Sequence, residues 1–262
     1  MTIDENQPSA AALISVGAVG GLLAGLFGVG GGIVMVPLLL WWAQMDQRRA
    51  QATSLLAIAP AALVGSASYA VGGVFPLIPG LLLALGAVVG AQVGAWALRR
   101  LSLEWLRWTF VAFVAAMAIT VMFTVPHRDI HVELTFVTAA ILIGLGITMG
   151  TAAGLFGIGG GIIAIPLLML IFGGGDLEAK GISLIAMIPA ALSGSISHVR
   201  FGTARLRDGL FVAIGAFVAA PLGSLGAFGL PETYANVAFG VFALFIATTL
   251  AIRAIRIGRE EP

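Results

Sequence analysis

Between Pro79 and Leu98 the chain runs through twenty residues, PGLLLALGAVVGAQVGAWAL, without a single charge. A helix of that length reaches about 30 Å, the thickness of a bilayer's hydrocarbon core. Similar runs recur along the whole sequence, and the 10% of residues that are charged fall between them. A soluble domain carries about 25%. The runs are continuous, whereas a membrane β-barrel would show short alternating segments. The chain therefore reads as an all-α polytopic membrane protein.

Net charge is +1, so there is no case for a nucleic-acid partner or any other bulk-charge partner. Cysteine is absent, which excludes disulfides, thiolate metal sites and thiol catalysis. The three histidines, His127, His131 and His198, are too scattered for a metal site, and no cofactor is expected. The N-terminus, MTIDENQPSA, carries acidic residues where a signal peptide would carry positive ones, so the first apolar segment is expected to stay as a membrane helix. The short polar head and the RIGREEP tail leave no room for a soluble domain.

The sequence is doubled. GLFGVGGGIVMVPLLL begins at Gly25 and GLFGIGGGIIAIPLLML at Gly154, an offset of 129 residues. The same offset aligns PAALVGSAS from Pro60 with PAALSGSIS from Pro189, Gly94 with Gly223, and Phe110 with Phe239. Shared Ala and Leu content would not hold Gly, Pro and Ser in register. Two repeats follow, 1–128 and 129–262.

Each repeat contains five apolar segments, near 10–27, 33–43, 52–72, 78–98 and 106–125, then 134–156, 162–172, 181–199, 209–228 and 234–252. The second segment of each repeat is too short to span: eleven residues reach only about 17 Å. Each glycine cluster should therefore turn the chain inside the membrane and return it to the side it came from. Arginines gather at 48–49, 99–107, 200–207 and 253–259. By the positive-inside rule, the loops 44–51, 99–107 and 200–208 and the C-terminus are cytoplasmic. The loops 73–77, 126–133, 174–181 and 229–233 are then outside. Equivalent loops face opposite sides, the mark of two inverted-topology repeats, each a broken glycine-rich hairpin plus three spanning helices.

Irregular backbone at membrane depth is tolerated only inside protein or along a polar cavity. Gly28, Gly30, Gly31 and Gly32, and Gly157, Gly159, Gly160 and Gly161, permit the reversal because glycine adopts positive φ. The short helix after each cluster offers unsatisfied N–H groups and a positive dipole end, which suit an anion. The alternative is that these glycines serve close helix packing. That alternative accounts for Gly17, Gly21 and Gly25, spaced by four, better than for three consecutive glycines before a half-length helix.

Thr53, Ser54 and Ser183 open the third segments, where their hydroxyls either cap a helix or face the cavity. His198 and Arg200 sit together at the end of the eighth segment. His198 either carries a coupling proton or meets an entering anion, or it snorkels at the interface. Lys180 reads as a surface charge. No Asp or Glu lies within a span, which argues against a carboxylate proton relay. With no nucleophile–base pair or acidic dyad in the spans, no enzymatic activity is expected.

The paired GLFGVGGGIVMVPLL and GLFGIGGGIIAIPLL motifs, each followed by a segment opening QATSL or KGISL, resemble those of the TauE/SafE family of sulfite exporters over nearly the whole chain. The resemblance implies export of sulfite, sulfonates or related small oxoanions across the cytoplasmic membrane. The glycine loops and the Thr53, Ser54 and Ser183 hydroxyls match the family pattern, while no cationic side chain is evident at the site. Import of such anions, or a continuous anion channel, stays open on the sequence alone.

Overall fold

The computed structural model describes residues 8–28, 30–123, 134–172, 176–229 and 232–260. Val29, the loop 126–133 with His127 and His131, and residues 174–175 and 230–231 of two further expected loops lie outside them. Among the described residues ten helices follow one another: α1 (Ala10–Phe27), α2 (Gly32–Trp41), α3 (Gln47–Val71), α4 (Leu77–Arg100), α5 (Leu103–Phe123), α6 (Phe136–Phe156), α7 (Gly161–Phe172), α8 (Asp176–Arg200), α9 (Leu206–Gly229) and α10 (Glu232–Glu260). Seven of them are long and apolar enough to cross a membrane among the described residues, and α2 and α7 are the short ones. The starts of α2, α3, α4 and α5 recur in α7, α8, α9 and α10 at the offset read from the sequence.

Helices α3 and α8 begin about five residues before the apolar segments do, so polar residues occupy their first turns. For α3 the reason is local: Asp46 is the N-cap, and its carboxylate accepts from the Arg49 N–H at 3.0 Å. Thr53, Ser54 and Ser183 consequently lie two turns inside their helices and cap nothing.

The repeats are held together by exchanged pairs. Helix α1 packs along α9, and α4 along α6. In α1 the glycines spaced by four make this possible, because a methyl at Gly17, Gly21 or Gly25 would collide with the carbonyl of Val212, Ala216 or Ala220. Gly86, Gly90 and Gly94 of α4 meet Ile143, Ile147 and Thr151 of α6 in the same way. Residue numbers rise together in both pairs, so each pair is parallel. At the centre, Gly65 of α3 faces Leu184 and Gly194 of α8 faces Leu55, so α3 and α8 run antiparallel. Gln92 of α4 ties onto α8, donating to the Ser193 carbonyl and hydroxyl at 2.8 and 2.7 Å.

One end of the bundle collects the arginines. Arg48 donates to the last carbonyls of α4, at Leu98 and Leu101, where a helix C-terminus favours a cation. Arg49 pairs with buried Asp208 at 2.6 Å. Arg99 donates to Ser197 Oγ at 3.0 Å and lies over the Phe201 ring. At the other end, Gly181 of α8 abuts Pro76 and Val74. Loops expected on the same side of the membrane thus share an end.

The close pairs supply the first test. Gly90→Val should lower stability by about 2–4 kcal/mol, because the α4–α6 backbones must separate to admit the side chain. Exposed Gly144, where an added methyl meets nothing within 4 Å, is the control. Gly144→Ala should be neutral or stabilising by up to about 1 kcal/mol. Thermal unfolding of the purified variants in one detergent measures both.

Candidate functional site

Helix α1 ends at Gly28, whose φ of 68° reverses the chain while its N–H still bonds the Ala24 carbonyl at 2.8 Å. Gly31, also at φ 68°, is the N-cap of α2, and its carbonyl accepts from Val34 and Met35, both at 3.0 Å. The second repeat copies this: Gly157 closes α6 at φ 66°, and the Gly160 carbonyl receives Ile163 and Ala164. Gly31 has no side chain to cap α2, so among the described residues the first N–H groups of α2 are left to the loop.

The two loops cross. A Cβ on Gly30 would lie 3.4 Å from Gly159 Cα and 2.9 Å from the Ile158 carbonyl, and a side chain on Gly32 would strike Gly157 and Ile158. A Cβ on Gly161 would sit 2.8 Å from the Gly28 carbonyl and 2.7 Å from Ser183 Oγ. Ile58 and Met187 flank the crossing, near the middle of the 25-residue helices α3 and α8. All eight glycines of the two clusters are buried. Their crowding explains why no larger residue fits.

Helix ends at this depth leave carbonyls that water cannot reach. Three side chains answer them. Ser54 donates to the Gly157 carbonyl at 2.7 Å. Tyr69 reaches the Gly25 carbonyl at 3.5 Å, and His198 Nε2 the Gly154 carbonyl at 3.1 Å. A carbonyl can only accept, so His198 carries its proton on Nε2. Tyr69 and His198 are equivalent under the 129-residue offset, as are Gly25 and Gly154. His198 is therefore a fully buried tie between α8 and the last turn of α6 and does not snorkel. Its Nδ1 has no partner among the described residues.

Of the residues singled out in the sequence, the glycines, Ser54 and Ser183 come together. Thr53 is fully buried on α3, and its hydroxyl has no partner among the described residues. Arg200 is exposed at the far end of α8, thirteen residues beyond Met187 and so about 20 Å along the helix. It does not reach the crossing.

Lys180 corrects the sequence reading. It is 4% exposed, and its aliphatic stem packs against Gly28. Lys180, Ser183 and Met187 form one stripe of α8 at helical spacing, all facing the glycine loops. The repeat equivalent of Lys180 is Gln51, which abuts Gly157 and is fully buried. Both ends of its amide lack partners among the described residues. The sequence signal was present: these two residues open the QATSL and KGISL stretches. Their burial could not be read, because charge at a helix start usually means surface.

The two serines differ in a measurable way. Ser54→Ala strands the Gly157 carbonyl and should cost about 1–3 kcal/mol. Ser183 Oγ is buried without a partner among the described residues, so Ser183→Ala removes an unsatisfied group and should leave stability unchanged or raise it by up to about 1–2 kcal/mol. Unfolding midpoints in detergent separate the two.

The sequence matches the family described as "Sulfite exporter TauE/SafE" over residues 2–121 and 142–262. A Bacillus subtilis protein, "Probable membrane transporter protein YunE", is 26% identical over 235 residues, 81% of this chain and 86% of its own length. A Xylella fastidiosa (strain 9a5c) protein, "Probable membrane transporter protein", is 27% identical over 251 residues, covering 90% of this chain and 93% of the relative. These relatives are named as transporters, in keeping with a chain of apolar helices and a buried crossing of irregular backbone. This protein belongs to the sulfite exporter TauE/SafE family of membrane transporters.

Proposed function

We propose that the protein exports small sulfur oxoanions, sulfite or sulfonates, by alternating access around the glycine crossing. The observation that carries this reading is the meeting of two broken-helix loops halfway along α3 and α8, with buried polar groups beside them. Gly30–Gly32 and Gly159–Gly161 supply backbone dipoles, and Ser183 supplies a hydroxyl that is unpartnered among the described residues. Gly28, Gly157 and Ser54 of α3, whose donors are engaged with carbonyls, shape the walls of the site. Thr53 and Gln51 add unpartnered polar groups to the same helix. These neutral donors replace the anion's hydration without holding it too tightly to release.

Lys180 gives the site one charged flank. An anion arriving at the loops finds a cation beside Gly28 and a neutral amide beside Gly157. His198 and Arg200 stand nearer the arginine-rich end, His198 at the last turn of α6 and Arg200 at the surface an anion meets from inside. The loops are in contact in this structure, which favours a carrier that parts them over a channel with a standing pore.

The repeats lie in inverted topology in this reading, with the arginine-rich end and the C-terminus cytoplasmic in the cell membrane. The antiparallel α3–α8 contact and the parallel α1–α9 and α4–α6 pairs support it, since together they make equivalent helices run in opposite directions. The same pairs bear on what moves. Repeats 1–128 and 129–262 exchange their first helices, so they are not the rigid bodies in this reading. Each hairpin moves together with its parallel partner instead, α1–α2 with α9 and α6–α7 with α4, against the α3–α8 centre.

Radiolabelled sulfite flux in proteoliposomes tests the substrate, with sulfate and a sulfonate as competitors. Saturable efflux should rise under an inside-negative potential, which favours anion exit by about 2.3 kcal/mol per charge per 100 mV. Lys180→Gln should raise KM several-fold with a smaller change in kcat, and Ser183→Ala should slow transport in a stable protein. Absence of flux for every oxoanion from a folded preparation would overturn the substrate assignment.

Topology has its own measurement. Single cysteines in this cysteine-free chain, at exposed Phe75 and exposed Arg205, should label from opposite sides of the membrane. Labelling of both from one side would sink the inverted arrangement.

A further inference from the structure

A second polar site lies away from the crossing, where α5 and α10 lean against the corner between α2 and α3. A cavity of about 60 Å³, several times the room one water needs, is walled by Asp46, Gln47, Arg107 and Arg253 on its polar side and by Leu40 and Phe110 among others on its apolar side. Gln47 is 6% exposed, and its Nε2 is buried without a partner among the described residues. Arg253 Nη1 is in the same state. Both are donors, and both want an acceptor that the described protein does not supply. Among the described residues neither Arg107 nor Arg253 forms an ion pair, and the pair at this end of the bundle joins Arg49 to Asp208 instead. Asp46 is the only acid in the wall, and one of its oxygens is engaged in capping α3.

Two guanidiniums, an unpartnered amide and the positive end of α3 converge on one small space. That is the donor set of a tetrahedral oxyanion. Duplication does not explain the cluster, since the repeat equivalents of Gln47 and Arg107 are Asp176 and Asn236, an acid and a neutral amide. Arg253 also borders an open recess of about 400 Å³ lined by Trp41, Thr249, Ile252 and Arg256. Exposed Trp42, Trp105 and Trp108 flank the same end of the bundle, at the level where aromatic side chains mark the membrane interface.

We infer that the cavity binds a phosphate group, held by Gln47, Arg107 and Arg253, and that the group belongs to an anionic phospholipid. The lipid's remaining atoms lie along Trp41 and Ile252, which gives the peripheral α5–α10 pair an adhesive to the hairpin corner that protein contacts alone leave incomplete. Basic pockets between membrane helices on the cytoplasmic side commonly hold such headgroups.

The experiment uses the full chain in a neutral detergent, titrated separately with phosphatidylglycerol and with inorganic phosphate. Bound adducts are counted by native mass spectrometry, and each variant's Tm is compared with its own ligand-free value. Wild type should retain one phosphatidylglycerol and gain several degrees in Tm. The Arg107→Gln/Arg253→Gln double variant should bind it weaker by roughly fivefold per arginine and lose the gain. Asp46→Asn, which keeps a capping acceptor while removing a like charge, should bind it tighter. Arg205→Gln, at the same end but outside the recess, should behave as wild type. A full Tm gain from inorganic phosphate alone, abolished in the double variant, would keep the phosphate site and overturn the lipid as its occupant. Unchanged binding of both ligands by the double variant, or weaker binding by Asp46→Asn, would overturn the site itself.

Discussion

A helix that stops inside a bilayer leaves carbonyls and N–H groups with no water to satisfy them, and this protein has two pairs of such stops. Each unsatisfied group costs several kcal/mol in hydrocarbon, so the surroundings must be built to answer them. Glycine at positive φ answers the first carbonyl of each pair by folding its own N–H back, Gly28 to Ala24 and Gly157 to Ala153. Tyr69, His198 and Ser54 answer the next ones from α3 and α8. The central helices are thus not simply packed against the hairpins. They complete them.

That demand shapes the rest of the bundle. Donors from α3 and α8 must reach α1 and α6 at a fixed depth, so the hairpins need rails that hold them without slack. The parallel pairs α1–α9 and α4–α6 are those rails. Without a hydrophobic force between helices in lipid, close backbone approach does the work, and rows of glycine are what allow it. Because each rail joins one half of the chain to the other, each hairpin is held both by its own half, through α3 or α8, and by the opposite half.

The architecture was open to sequence reading because it rests on features that repeat. The 129-residue offset, the half-length segments after the glycines and the four-residue glycine spacing of α1 each survive into the structure. The chemistry was less open. Lys180 looked like a surface charge because charged residues at helix starts are usually solvated, and only the burial of α8's first turns against the Gly28 loop shows otherwise. Thr53 and Ser54 read either as caps or as cavity-facing hydroxyls because the apolar run begins beside them, and Asp46, which starts the helix earlier, removes the first option. The Gln47–Arg107–Arg253 cavity has no sequence signature, since its three donors come from three helices and the repeat equivalents of Gln47 and Arg107 carry different chemistry.

The positions where the repeats agree and those where they differ divide the labour between them. Agreement is found in the turning glycines and in Ser54 and Ser183, which lie at the crossing. Difference is found at Gln51 against Lys180, Thr53 against Ile182, and Tyr69 against His198. A symmetric crossing would offer an anion two identical walls and no reason to favour either. Substituting lysine for glutamine at one wall makes the potential across the loops uneven, while the backbone donors stay the same on both sides. A tyrosine hydroxyl and a protonated imidazole nitrogen make the same bond to equivalent carbonyls, so the tie is preserved where the side chain is not. On the proposed function, the duplicated backbone sets where the anion sits, and the unmatched side chains set the charge around it.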